Sequence, residues 1–276
     1  MNAVALPISI SRPKGKIAIR DVTRVFPVRR EKGKSEDFVA LKAVNFEVRE
    51  REFLSVVGPS GCGKSTLLDI LAGLNHATSG EVLIDGKPVT GPALDRGIVL
   101  QGYALFPWRT VRQNVEFGLE VKKLPKLKRH EIADRFIELV GLQEFRNHLP
   151  HELSGGMRQR VALARALAYD PDILLMDEPF AAVDAQTRET LQEELLRIWE
   201  TTKKTVIFVT HSIEEAVFLS DRIVVLSSNP GMVRDIITID LPRPRTADAI
   251  RSSEVATDLR HRVWQLLQSR PPEPLQ

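Results

Sequence analysis

The stretch Phe53-Leu-Ser-Val-Val57-Gly58-Pro59-Ser60-Gly61-Cys62-Gly63-Lys64-Ser65-Thr66 decides the fold. Phe53–Val57 reads as a short buried strand, and a helix is predicted from about Lys64. Between them, Gly58–Ser65 matches the pattern G-x-x-x-x-G-K-[ST]. A backbone that wraps tightly around phosphate oxygens needs dihedrals that a side chain obstructs, and glycine supplies them. Successive N–H groups then point inward, and the N-terminus of the following helix adds its dipole. All of Gly58, Pro59, Ser60, Gly61, Cys62, Gly63, Lys64, Ser65 and Thr66 are therefore nucleotide-binding candidates. The motif assigns Lys64 to the β- and γ-phosphates of ATP and the Ser65 hydroxyl to Mg²⁺. Because Cys62 sits in an anion-stabilising loop before a helix, a lowered thiol pKa and ready alkylation are expected of it.

The second informative stretch is Ile173-Leu-Leu-Met-Asp177-Glu178, an apolar strand ending in two acids. Ligands of open α/β sheets gather at the carboxyl ends of strands, where these carboxylates fall. Asp177 suits a further Mg²⁺ contact through water, and Glu178 suits the base that polarises an attacking water.

Working outward, Lys16–Val22, Ala40–Val48, Glu81–Ile84, Gly97–Leu100, Thr205–Val209 and Arg222–Leu226 also read as strands, with a charged surface loop over Arg29–Asp37. Thr110–Tyr169 follows a helical period instead, with Ile132, Phe136, Ile137, Val140 and Leu142 at three-to-four spacing. Such an insert predicts a helical subdomain, at about 102–170. Ser212 and Glu215 have capping-box spacing and open a helix. Leu241-Pro-Arg-Pro-Arg245 cannot continue a sheet, since proline removes ladder donors. Beyond it one amphipathic helix is expected, Glu254–Leu267, before a loose end at Pro271, Pro272 and Pro274. The domain expectation is thus 16–240 for the ATPase domain and 241–276 for a tail.

Composition sets limits. The chain has 276 residues, 43% hydrophobic, enough for an ordinary core. With 39 basic and 36 acidic side chains the net charge is +3, which makes no electrostatic case for nucleic-acid binding. Arg29, Arg30, Lys32 and Lys34 read as a solvated loop. One cysteine permits no internal disulfide and fits a reducing compartment. Met1–Pro13 lacks the sustained apolar run of a signal peptide, and no apolar run is long enough to span a bilayer.

Leu153-Ser154-Gly155-Gly156-Met157-Arg-Gln-Arg160 resembles the LSGGQ signature of ABC ATPases, and it stands just before the Ile173–Glu178 strand as in that family. Phe26 matches the aromatic that stacks on adenine. Gln101 matches the Q-loop glutamine, which implies a catalytic and Mg²⁺-ligating place. Ala181-Ala-Val-Asp184 matches the D-loop, and His211 the switch histidine. The resemblance covers nearly the whole chain and implies a P-loop α/β core, a β-rich N-terminal subdomain and a helical signature subdomain. It implies ATP hydrolysis with Glu178, His211 and Gln101 as catalytic residues. Ser154, Gly155 and Gly156, opening a helix over Met157–Ala168 with free N–H groups, would meet ATP held by a second ATPase subunit, with Asp184 beside it. Met157 departs from the usual glutamine, and the D-loop starts with alanine rather than serine.

Further wording resembles ATPases of the nitrate/sulfonate/taurine importer group: Thr90–Gly97, Leu105-Phe-Pro-Trp108, Leu149–Met157, Leu226–Gly231 and Leu241–Arg245. The expectation is a peripheral subunit on the cytoplasmic face of the inner membrane, in a homodimer. It would work with integral permease subunits and, indirectly, an extracytoplasmic substrate-binding protein. In such importers the segment Gly102–Arg109 faces the permease. The tail leaves no room for an appended regulatory domain. The rival expectation is a soluble ABC ATPase acting on nucleic acid or a protein complex, against which stand the near-neutral charge and the absence of a heptad-bearing insert.

Overall fold

A computed structural model describes residues 15–29, 35–181 and 183–268. Arg30, Lys32 and Lys34, the segment Met1–Pro13, Ala182 of the 181–184 turn, and the terminal prolines lie outside them. Two sheets organise the chain. An antiparallel sheet has the order β2-β1-β4-β5, built from β1 (Gly15–Arg29), β2 (Ser35–Arg49), β4 (Ser79–Ile84) and β5 (Lys87–Pro88). A second sheet has the order β10-β9-β3-β8-β7-β6, from β3 (Phe53–Val57), β6 (Arg96–Val99), β7 (Ile173–Asp177), β8 (Thr205–Thr210), β9 (Arg222–Leu226) and β10 (Val233–Thr238). Its strands run parallel except β10, which returns antiparallel along β9.

Parallel strands are covered on both faces, and so they read as unbroken apolar runs. Every residue of β3 and of β8 is buried. Side-chain alternation splits them between two cores. Leu54, Val56, Ile207 and Val209 face α1 (Lys64–Ala72) and the antiparallel sheet. Phe53, Val57, Val206 and Phe208 face the opposite core, which α4 (Gly155–Ala168), α5 (Ala185–Thr202) and α6 (Ile213–Leu219) complete.

Between β6 and β7 the chain is helical, as the period predicts: α2 (Val111–Val121), α3 (Lys126–Leu139) and then α4. Thr110 starts α2 with a reciprocal box, its hydroxyl accepting from the Gln113 amide and its own amide donating to Gln113 Oε1 at 2.9 Å. At α6 the expected box is only half made. The Glu215 amide donates to Ser212 Oγ at 3.2 Å, but the Glu215 carboxylate turns inward to Thr210.

Other expectations need revision. β1 and β2 pair as far as Arg29↔Ser35, so the described residues of the expected Arg29–Asp37 loop, Arg29 and Ser35–Asp37, are strand. β10 carries a mixed pattern, Val-Arg-Asp-Ile-Ile-Thr, that the sequence reading passes over; the ladder with β9 makes it a strand. Among the described residues beyond Asp240 there are two helices, not one: α7 (Ala247–Arg251) and α8 (Glu254–Gln268), whose Ile250, Ala256 and Val263 are buried in the main core.

Candidate active site

The Gly58–Gly63 loop leaves the carboxyl end of β3 and enters α1 as expected. Gly63 precedes the helix at φ +92°, a left-handed conformation, and a Cβ there would meet Leu41 and the Ala40 carbonyl at 2.7 and 2.8 Å. Only glycine fits. No side chain caps α1, so its first amides stay available. Lys64 is folded back, its Nζ donating to the carbonyls of Gly58 at 2.8 Å and Pro59 at 3.1 Å. A cleft of about 260 Å³ opens over the loop, lined by Phe26, Phe38, Ala40, Ser60, Gly61, Gly63, Lys64, Ser65, Thr66 and Glu178. A larger hollow of about 730 Å³ lies elsewhere, between α3, α4 and α5, and holds none of these groups. Size is therefore not what marks the site.

Phe26 is paired across the antiparallel sheet with Phe38, and the Arg24 guanidinium lies 4.5 Å from its ring centroid. Phe38 is 45% exposed, a large apolar ring open to solvent. The sequence reading singles out Phe26 and misses Phe38 and Ala40, because their place depends on strand register.

The two acids end β7 in different settings. Burial, with the charges of Glu178 and Asp69 adding to it, pushes the Asp177 carboxyl up; a hydrogen bond with Ser65 and the charge of Lys64 oppose this. Its Oδ1 is buried without a partner. A desolvated carboxylate oxygen lacking a donor beside a serine hydroxyl and a lysine fits a site for a hard cation held jointly with phosphate. Among the described residues there is no cluster of three or more His, Cys, Asp or Glu that could hold a metal ion. Glu178 adopts φ +41°, an uncommon conformation for a non-glycine residue, fixed by its amide donating to the Val209 carbonyl at 2.9 Å. That corner aims the carboxylate at His211, whose Nδ1 lies 3.1 Å from Oε2. The histidine follows β8 with its side chain 61% exposed.

Cys62 corrects an expectation. It is 1% exposed, and burial pushes its thiol up against the opposing pull of Lys64, so neither a reactive thiolate nor easy alkylation follows. Its amide is spent on the Pro59 carbonyl.

Several candidates stand apart from the cleft. Gln101 is exposed in the turn after β6 and does not line it. Ser154 caps α4, its Oγ accepting from the Met157 amide at 3.2 Å, so the helix begins at Gly155, earlier than expected. A Cβ on Gly156 would meet Thr187 Cγ2 at 2.9 Å, which lets α4 and α5 approach. Met157 packs against the hydrophobic core. Asp184 caps α5 by accepting from the Thr187 amide at 3.0 Å, and that bond holds its carboxyl below the ordinary range. Ser154, Gly155, Gly156 and Asp184 reach no cleft-lining position within their own chain.

The description "ABC transporter" fits residues 41–181 of the chain as a family match. The uncharacterized ABC transporter ATP-binding protein MJ0412 of Methanocaldococcus jannaschii is 57% identical over 88% of this chain and 89% of its own length. The nitrate import ATP-binding protein NrtD of Synechocystis is 50% identical over 82% of this chain and 83% of its own. Among solved structures, the dimeric form of MJ0796, a bacterial ABC transporter cassette, superposes with a TM-score of 0.71 at 36% identity, covering 82% of this chain and 100% of that one.

Proposed function

The chain belongs to the ABC transporter family as an ATP-hydrolysing, ATP-binding subunit, and from that premise we propose that it powers a membrane importer for nitrate, sulfonate, taurine or a similar small anion. The observation that carries the ATPase chemistry is the meeting of Lys64, Ser65 and Glu178 in one cleft beneath Phe26 and Phe38. In this reading the two rings receive the adenine. Lys64 leaves the Gly58 and Pro59 carbonyls for the β- and γ-phosphates, which also occupy the free amides of α1. Glu178 accepts a proton from the attacking water, and His211 orients that carboxylate while facing the γ-phosphate. Ser65, Asp177 and, after a movement of its turn, Gln101 would hold Mg²⁺, which when bound neutralises charge between the β- and γ-phosphates.

Two copies are needed, because the Ser154–Gly156 amides lie outside their own chain's cleft. A head-to-tail pair brings each signature to the other's ATP, with Asp184 beside it, and the dimeric MJ0796 cassette supports this arrangement. ATP binds the closed pair better than the open one and so shifts the population toward closure. Trp108 is 72% exposed and clusters with Phe106, itself 4.7 Å from the exposed Phe117. This aromatic patch beside the Gln101 turn suits the permease. No helix among the described residues is long and apolar enough to cross a membrane. The importer reading therefore assigns the cargo path to integral permease subunits, with the ATPase on the cytoplasmic face of the inner membrane. A substrate-binding protein would deliver the cargo from the other side. The relationship to NrtD supports the small-anion cargo.

Glu178→Gln tests the reading. Hydrolysis is expected to fall on the order of 1,000-fold, as loss of a general base does, while MgATP still binds and drives a dimer in gel filtration. Recovery of a multi-span permease with the tagged variant from native membranes supports the importer. A monomer with MgATP overturns the sandwich, and recovery of soluble partners alone overturns the transport role.

A further inference from the structure

Glu215 is a buried charge without a task in the mechanism above. It lies in the first turn of α6 and is 6% exposed. Its Oε2 accepts from the Thr210 hydroxyl at 2.6 Å. The same Thr210 oxygen accepts from the Ser212 amide at 3.0 Å, and Ser212 Oγ accepts from the Glu215 amide at 3.2 Å. Thr210 and Ser212 are the two neighbours of His211. One acid therefore pins both sides of the histidine, one through its carboxylate and the other through its backbone.

The second carboxylate oxygen looks the other way, toward α5. Oε1 accepts from Gln192 Nε2 at 3.3 Å and lies 3.9 Å from Arg188 Nε. The Arg188 guanidinium also donates to the Val183 carbonyl at 2.8 Å, at the corner where Asp184 caps α5. Nε of Arg188 is buried and makes no hydrogen bond, so its tie to Glu215 is a charge attraction that varies with distance. Burial pushes the Glu215 carboxyl up, while Thr210, Arg188, His211 and Gln192 pull it down. Its ionised form thus depends on these neighbours. Drawing the Val183–Asp184 corner outward would take Arg188 away and leave a buried charge held by neutral donors, a costly state.

The geometry points to Glu215 and Arg188 as a positioning pair that couples the Val183–Asp184 corner to the backbone carrying His211. Where that corner lies then sets how well the Glu178–His211 pair is formed. The inference rests on the ATPase reading and adds an internal link that neither the phosphate loop nor the signature contains. Neither residue lines the nucleotide cleft, so their effect belongs in kcat and not in KM.

The test is a double-mutant cycle on ATP hydrolysis by the full chain, with thermal midpoints measured alongside. Glu215→Gln and Arg188→Met are each expected to lower kcat about tenfold with KM for ATP within about twofold of wild type. Both cut one link, so the double variant should lose only about 20-fold in kcat, about fivefold less than the roughly 100-fold product of the two single losses, within the range seen for directly coupled residues. Arg188→Lys, which keeps the charge, should recover most of the loss. Should Glu215→Gln fail to fold, the half-buried Arg188 carries the test through the kcat-against-KM split and the lysine rescue. Effects that simply multiply, a change confined to KM, or Arg188→Met turning over at the wild-type rate would overturn the pair while leaving the ATPase reading intact. A wild-type chain without ATPase activity would overturn both.

Discussion

Two helices of this chain start on glycine-rich turns, and they treat their free amides in opposite ways. α1 begins behind Gly63, which has no side chain to cap with. α4 begins behind Ser154, whose hydroxyl takes the Met157 amide. The first amides of any helix need partners. At α1 they are left for a ligand, and the neighbouring groups are equally unfinished: Lys64 leans on loop carbonyls, and Asp177 Oδ1 is buried without a donor. At α4 the serine completes part of the set, so the helix stands as a formed surface. The unfinished end is where a ligand gains most by binding. The finished end suits a site that presents itself to a ligand held by another copy.

The sharpest way to break the contrast is Lys64→Ala. If the α1 end is a phosphate cradle, ATP affinity should fall on the order of 100-fold, the worth of a lost charge-assisted contact. The nucleotide-free thermal midpoint should change little, since the lysine's partners there are carbonyls that water can replace. Titration calorimetry giving affinity within threefold of wild type would mean that the loop amides act without the lysine. A smaller effect tests the other end. Ser154→Ala removes a cap, at a cost of about 1 kcal/mol, or roughly 2–4 °C in midpoint for a chain of this size. ATP affinity of the single chain should not change, whereas the MgATP-driven dimer of the Glu178→Gln chain should weaken. An unaltered midpoint would show that α4 is held by packing alone.

How much of this could be read from the residues follows from how local each feature is. The phosphate loop and the Asp177–Glu178 corner are contiguous in sequence, and each stands at the carboxyl end of a short apolar strand that is legible in the same few residues. Phe38 was not legible, because its place opposite Phe26 depends on register shifts within β1 between Ile19 and Val25. Cys62 misled for a related reason. Its loop is anion-stabilising, but its side chain packs into the core shared with Leu41 and Leu226, which no neighbour in sequence announces. Leu241–Arg245 reads only as a sheet breaker. In the fold, Arg245 Nη1 donates to the carbonyls of Val217, Phe218 and Ser220 and so closes the end of α6. Gln101, Ser154 and Asp184 are marked only by their order along the chain; in the proposed reading Ser154 and Asp184 act on the ATP of a second copy, which one chain's contacts do not contain.

Asp177→Asn sharpens the comparison by sign. The Asp177 carboxyl titrates above the ordinary aspartate range, chiefly from burial. A group whose pKa is higher in the fold than in the unfolded chain contributes stability below its unfolded pKa and withdraws it as pH rises through the folded value. At neutral pH the nucleotide-free wild type therefore carries a desolvated charge that asparagine lacks, and the variant should melt higher, by roughly 1–2 °C after allowing for solvent screening. As pH falls through the acidic range where Asp177 takes up its proton, the two midpoints should converge. With MgATP the order should reverse, since only the carboxylate gains a cation. Thus a substitution at the unfinished end stabilises the empty protein, while Ser154→Ala at the finished end destabilises it. Scanning calorimetry at two pH values, with and without MgATP, reads both signs; a variant that melts below wild type at neutral pH without nucleotide would show that the Asp177 charge is already satisfied, and the contrast between the two helix ends would fail there.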